Sequence, residues 1–377
     1  MKEIRMVDLA GQYDRIRDDV NPAIQGVIDS TAFIRGEEVR LFEEELSSFL
    51  GVKHVISCGN GTDALQVALM VLGLKPGDEV ITTDFTFIAT AEVIALLGLK
   101  PVLVDPEPGT FNISVEAVKK AITPETKAII PVHLFGQCAD MEQLLSLARQ
   151  NNIFIVEDAA QATGTTYRFS DGTTAMAGTI GDLGCTSFFP SKNLGCFGDG
   201  GAIYTQSDKY AALARSIVNH GMTKRYYHDH IGVNSRLDTI QAAILRVKLR
   251  HLADYNIARQ DLAARYDSAF GSIKEITIPE RSKFSTHIFH QYTIKTGKES
   301  RDNLKEYLAQ SGIPSMVYYP VPLHRQEAYS FLGYGNNDFP VSDSLSYSVL
   351  SLPMHTEMED EQAGYIIEKV TRFFKNK

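Results

Sequence analysis

The chain has 377 residues, 44% hydrophobic and 22% charged, with 37 Lys and Arg against 46 Asp and Glu for a formal charge of -9. That composition is that of a soluble globular protein long enough for two domains, and it excludes disorder and low complexity. A negative chain without a basic patch excludes a groove for nucleic acid and an electrostatic anchor on anionic membranes.

Glu37 to Leu50 predicts an amphipathic helix, with Val39, Phe42 and Leu46 on one stripe and glutamates on the other. Short β-branched or apolar runs then predict strands at His54 to Cys58, Glu79 to Thr83, Pro101 to Asp105, Ala128 to Val132, Ile153 to Glu157, Leu183 to Phe188 and Ala202 to Thr205. Helical periodicity separates most of them, at Thr62 to Leu72, Ala89 to Leu97, Val115 to Ile122, Met141 to Gln150 and Lys209 to Val218. This alternation implies an α/β fold, a mostly parallel sheet with helices on both faces and ligands at the carboxyl ends of its strands. Arg236 to about Arg265 reads as one long helix leading to a second unit. A strand at His287 to Ile294, a helix after Ser300 and an amphipathic helix near Gly364 to Phe374 predict a smaller α+β domain. The expected division is 1–250 for the large domain and 251–377 for the small one.

The four cysteines, Cys58, Cys138, Cys185 and Cys196, show neither a CxxC pair nor zinc-site spacing. Reduced thiols in a cytoplasmic protein, without a metal, are expected. The residues from Met1 to Met6 lack an apolar leader core, and no run approaches the roughly 18 apolar residues of a membrane span.

Three strand ends carry chemistry. Gly59-Asn60-Gly61-Thr62-Asp63-Ala64 is a glycine-rich turn opening a helix, whose free N–H groups and positive dipole end suit a phosphate. It also fits GxGxxA, with Asp84 closing the next strand, so a dinucleotide site is a competing reading, and a plain helix cap a third. Ile155-Val156-Glu157-Asp158-Ala159-Ala160-Gln161 delivers Asp158 from an apolar strand, either as a helix cap or as an acid able to keep a pyridinium nitrogen protonated. Thr186-Ser187-Phe188-Phe189-Pro190-Ser191-Lys192-Asn193-Leu194-Gly195 offers a hydroxyl for phosphate at Ser187 and an amine able to form a Schiff base at Lys192. Taken together, a phosphate turn, a ring-nitrogen acid and a reactive lysine are the needs of pyridoxal 5'-phosphate.

These segments, with Asp84-Phe85-Thr86-Phe87 and Gly232-Val233-Asn234-Ser235-Arg236-Leu237-Asp238, closely resemble the nucleotide-sugar aminotransferases of the DegT/DnrJ/StrS family over nearly the whole chain. The resemblance implies the aspartate aminotransferase (type I) fold and transamination with L-glutamate, which leaves as 2-oxoglutarate. It places Lys192 on the cofactor aldehyde, Asp158 at the pyridine nitrogen and Gln161 near the phenolic oxygen. Gly61, Thr62 and Ser187 would hold the phosphate, and Phe85 would lie over the ring. Asn234 matches an asparagine that reaches the neighbouring subunit's phosphate, which implies a homodimer with shared sites. Arg236, Tyr318, Tyr319 and His324 match positions on the sugar side. Within the family the likeness is greatest to enzymes aminating C3 of UDP-2-acetamido-2-deoxy-3-oxo-glucuronate for surface polysaccharide. Those enzymes favour histidine where this chain has Tyr318, so a dTDP- or GDP-linked oxo-6-deoxyhexose is a further expectation. A nicotinamide-dependent sugar-nucleotide oxidoreductase and a non-catalytic regulator are the readings of another class.

Overall fold

Seven of these apolar runs form one sheet in the computed structural model of the protein, which describes residues 2–375. They are β1 (His54–Cys58), β2 (Glu79–Thr83), β3 (Lys100–Val104), β4 (Thr126–Ile130) and β5 (Phe154–Asp158), then, after a hairpin of β6 (Thr166–Arg168) and β7 (Thr174–Met176), β8 (Leu183–Ser187) and β9 (Gly201–Thr205). Across the sheet the order is β1-β9-β8-β5-β4-β2-β3, with β9 antiparallel to both neighbours and the other pairs parallel.

Of the helices α1 (Leu9–Ser30), α2 (Glu37–Leu50), α3 (Gly61–Leu72), α4 (Ala89–Leu96), α5 (Val115–Ala121), α6 (Met141–Asn151) and α7 (Asp208–Ile217), α2 to α7 pack against the sheet. The strand period of two divides its side chains between two cores. Val80, Ile130 and Val156 pack with α3 and α7, while Ile81, Ile129 and Ile155 pack with α5 and α6. A strand buried on both faces has no polar face to show, which is why these segments read as β-branched or apolar runs without alternation.

Beyond a short exposed hairpin, β10 (Met222–Lys224) and β11 (Tyr227–His228), the chain enters α8 (Thr239–Leu249) and α9 (Leu252–Phe270). The single helix expected over Arg236 to Arg265 is thus two helices, broken at Arg250 and His251, and Arg236 lies before the first. A further core joins α9 to β12 (Tyr292–Lys295), α10 (Lys298–Gln310), β13 (Val349–Leu352) and α12 (Asp360–Lys375), through Tyr266, Tyr292, Leu304, Leu350 and Ile366. Ile4 packs there too, so the start of the chain crosses to the C-terminal unit. Between β12 and β13 also lies α11 (Pro340–Ser348).

Two further expectations change. The strand expected from His287 begins only at Tyr292, because Phe289 has a left-handed φ of 48° and the Phe289 and His290 carbonyls accept from the buried Arg259. Helix α1 has no counterpart in the sequence reading. Only Ile16, Val20 and Val27 of its 22 residues are buried, and Pro22 interrupts the propensity pattern. Its apolar stripe packs on Ile244 and Val247 of α8. No helix of the described residues is long and apolar enough to cross a membrane.

Phe42 on α2 meets Phe188, the residue after β8, edge to face at 5.3 Å, with both rings fully buried. Phe42→Ala is expected to destabilise the protein by about 3–5 kcal/mol through the cavity it leaves. The check is a lowered thermal unfolding midpoint; an unchanged midpoint contradicts this packing.

Candidate active site

Strand β8 runs into a loop that folds back on itself. Phe188 N donates to Gly200 O at 2.7 Å, and Cys196 N donates to Phe188 O at 2.8 Å. A Cβ on Gly195 would stand 2.4 Å from Pro190 O, so only glycine lets the loop close. Lys192 sits inside this loop, its N donating to Phe189 O at 2.8 Å. Part of the residue stays open, yet its amine lies among enough protein atoms that burial lowers its pKa to about 8, with Asp158 pulling upward.

Asp158 ends β5, the strand next to β8, and is 6% exposed. Its Oδ2 accepts from Thr90 Oγ1 at 2.7 Å and its Oδ1 from Ala160 N at 3.1 Å. Its backbone O accepts from His133 N at 2.9 Å. The period of two turns Glu157 the other way, where Oε2 faces His133 Nε2 at 2.8 Å and accepts from Gly178 N, while Oε1 accepts from Ile180 N and Gly181 N. His133 Nδ1 accepts from Ala139 N at 3.2 Å, so the ring proton sits on Nε2 and points at Glu157. This fully buried pair anchors the strand end that carries Asp158.

Gln161 Oε1 accepts from Phe135 N at 2.7 Å, and its Nε2 donates to Tyr319 Oη at 3.1 Å. Phe135 has a left-handed φ of 57°, a strained setting for a large side chain. Tyr319 stands edge-on to Phe85 at 5.9 Å, and burial raises its pKa. Phe85, fully buried, follows the end of β2.

Gly61 opens α3 directly against the end of β8. A Cβ there would lie 2.6 Å from Ser187 Cβ, so the glycine is required by this close approach. Asn60 caps the helix, accepting from Asp63 N at 2.8 Å. The amides of Gly61 and Thr62 stay at the positive end of the helix beside the Ser187 hydroxyl, a cradle for a phosphate.

Lys192, Asp158, Gln161, Phe85, Tyr319 and the Gly61–Ser187 cradle therefore gather at neighbouring strand ends, whereas Asn234 and Arg236 face elsewhere. Ser235 Oγ accepts from Gly59 N at 2.9 Å, which turns Asn234 out to solvent. Arg236 shares a small cavity with Arg35, Glu43 and Arg215. His324 is also apart, its side chain 2% exposed and its Nδ1 2.7 Å from Asp84 Oδ2. It was expected to contact a sugar and instead points into the protein.

Sequence reasoning missed Thr90, Phe135, Glu157 with His133, and His290. Glu157 left a signal, a charge inside an apolar strand. Nothing local marks His290, whose buried Nδ1 has no partner and whose pKa is held well below normal by burial, then by Lys192 and Arg259. Lys248 is a second buried lysine, lowered to about 8 by burial, but its amine lies over the Phe197 ring at 5.4 Å. No site for a metal ion is formed by the His, Cys, Asp and Glu side chains of the described residues.

Residues 14–371 match the DegT/DnrJ/EryC1/StrS aminotransferase family. The chain belongs to that family. It is 44% identical to a Geobacillus stearothermophilus "pleiotropic regulatory protein", covering 99% of each chain. It is 43% identical to the UDP-2-acetamido-2-deoxy-3-oxo-D-glucuronate aminotransferase of Pseudomonas aeruginosa, covering 98% and 99%. Its fold matches Streptomyces venezuelae DesV, solved with a ketimine intermediate, at a TM-score of 0.95 and 38% identity, covering 100% and 99%. Solved neighbours of the same fold carry pyridoxal or pyridoxamine phosphate.

This DegT-family chain is a pyridoxal 5'-phosphate-dependent sugar aminotransferase with the type I fold. The residues present suit the cofactor: a glycine cradle that a Cβ would fill, a low-pKa amine and a held carboxylate. The dinucleotide reading fails on chemistry as well. Both oxygens of Asp84, the acid it needs for a ribose, accept from His324.

A lysine amine with a pKa near 8 is neutral above that pH, and its nucleophilic fraction falls tenfold per unit below it. Capture of pyridoxal phosphate by the apo-protein, followed by absorbance, is expected to quicken with rising pH and level off above about 8. A rate still climbing steeply past pH 10 contradicts the environment assigned to Lys192.

Proposed function

We propose that this aminotransferase moves an amino group from L-glutamate to C3 of UDP-2-acetamido-2-deoxy-3-oxo-glucuronate, and that it does so as a cytoplasmic homodimer serving surface polysaccharide assembly. The observation that carries the reaction is Lys192 and Asp158 at adjacent strand ends, the amine lowered by burial and the acid fixed by Thr90 and Ala160. The sugar is supported by the near full-length identity to the Pseudomonas enzyme. The compartment is supported by four free, buried cysteines.

Lys192 is the proposed covalent anchor of the cofactor, with Gly61, Thr62 and Ser187 on its phosphate, Phe85 over its ring and Gln161 near its phenolic oxygen. When bound, pyridoxal phosphate supplies an aldehyde for amines and a ring that accepts electrons from the substrate carbon. Asp158 would hold a proton at the ring nitrogen, and its two fixed hydrogen bonds keep the carboxylate from swinging away. Lys192 Nζ, once released by the donor, is the proposed base that takes the proton from the amino-bearing carbon. Glutamate leaves as 2-oxoglutarate, and the same groups act in reverse on the oxo-sugar. Phe85, fully buried, and Tyr319, edge-on to it at 5.9 Å, would screen that exchange from water on one side.

Asn234, exposed, and Arg236, in its small cavity beside Arg35 and Arg215, are proposed to complete the partner subunit's site, Asn234 at its phosphate and Arg236 at an anionic group of its substrate. Tyr318 favours a second reading of the sugar. It presents a phenol where uronate enzymes have histidine, which suits a dTDP- or GDP-linked oxo-6-deoxyhexose.

Two measurements test these assignments. With glutamate as donor, kcat/KM for the UDP-linked 3-oxo-uronate is expected to exceed that for a dTDP-linked 3-oxo-6-deoxyhexose by about tenfold or more, and the reverse order overturns the sugar assignment. Lys192→Ala and Asn234→Ala homodimers are each expected to be nearly inactive. Mixing and re-equilibrating them should restore about a quarter of normal activity, since half of the dimers become hybrids with one intact site. No recovery in hybrids shown to form sinks the shared site.

A further inference from the structure

Asp84 follows the last residue of β2, one residue before Phe85, and holds two consecutive residues from far along the chain, Leu323 and His324. Its backbone O accepts from Leu323 N at 3.0 Å, its Oδ1 from His324 N at 2.7 Å, and its Oδ2 from His324 Nδ1 at 2.7 Å. On the other side of the ring, Nε2 lies 3.6 Å from Asp343 Oδ1, and Arg325 fastens Asp343 with two hydrogen bonds of 2.5 and 2.7 Å. Phe339 packs on the same ring at 4.8 Å. An imidazole held this way donates from Nδ1 to Asp84 and is almost closed off from solvent.

Five residues upstream, Tyr319 is fixed independently. Its hydroxyl accepts from Gln161 Nε2, and its ring stands against Phe85 and Phe87 at 5.9 and 6.4 Å. The span between the two anchors contains Pro320 and Pro322, each with a locked φ. A short strap with two stiff residues transmits a slip at one end to the other. Its ends are pinned to the turn after β5, through Gln161, and to the residue after β2, Asp84.

We propose that His324 is a positioning residue: its hydrogen bonds to Asp84 set where Tyr318 and Tyr319 stand on the sugar side of the cofactor site. The proposal rests on the reading that these tyrosines face the sugar. Removing the Asp84 bond should loosen the strap and weaken binding of the oxo-sugar more than it slows turnover.

Two amide substitutions separate this role from a direct substrate contact. Asn places its NH2 near the position of His Nδ1, and Gln places its own near Nε2. Both are made in the holoenzyme and compared by KM and kcat for the oxo-sugar nucleotide and by hydrogen exchange of residues 321–326. His324→Asn is expected to keep slow exchange at positions 323 and 324 and a KM within about threefold. His324→Gln is expected to lose that protection and raise KM about tenfold, with a smaller change in kcat. Rescue by Gln and not by Asn overturns the proposal, as does unaltered exchange and KM in both. Exchange does not depend on the substrate chosen, so a wrong sugar would appear separately, as poor turnover by the unmodified enzyme. Should either variant fail to fold, Asp84→Asn decides: faster exchange at 323–324 is expected, and unchanged exchange overturns the proposal.

Discussion

The proposed reaction asks for a neutral amine beside a carboxylate, and those demands oppose each other. Burial lowers the pKa of Lys192, while the nearby Asp158 raises it, and the balance falls at about 8. That balance holds only while Asp158 stays fixed, and much of the surrounding structure fixes it. Thr90 and Ala160 hold its oxygens, and His133 holds its backbone. Glu157, one residue earlier on the opposite side of the strand, ties the turn at 178–181 to the same place.

Strand order explains why one chain can gather these groups. With β8 beside β5, Lys192 and Asp158 emerge from neighbouring carboxyl ends, and with β9 leading back beside β1 the Gly61 turn closes against Ser187. In parallel sheets this edge is where loops can reach a shared ligand without disturbing either core. Residues 319–324 supply their part as a strap rather than a strand, tied to the turn after β5 by Gln161 and to the residue after β2, Asp84.

The central sheet was legible because most of its strands are buried on both faces and so form β-branched or apolar runs such as His54 to Cys58 or Glu79 to Thr83. Helix α1 was not, since a three-residue stripe with a proline inside it carries little periodic signal. The break at Arg250 and His251 was hidden because apolar periodicity continues through it. Within the site, Lys192, Asp158 and Gly61 stood out as polar or flexible residues at strand ends. His324 shows the limit of such reasoning. A histidine among tyrosines and prolines looks like a ligand contact, and only tertiary packing reveals that Asp84 has taken its proton donor. Phe135 and His290 carry no local mark, because their roles arise from a strained turn and from proximity across the chain.

Two lysines share the property from which reactivity was argued. Burial lowers both Lys192 and Lys248 to about 8, and what separates them is company: Asp158 acts on the first, an aromatic ring and Cys196 on the second. Reduction of the holoenzyme with borohydride, followed by digestion and mass spectrometry, would fix the cofactor to whichever lysine carries it. The expected result is a pyridoxyl group on Lys192 alone. The same group on Lys248, or on no lysine, would contradict the assignment on which the site is built.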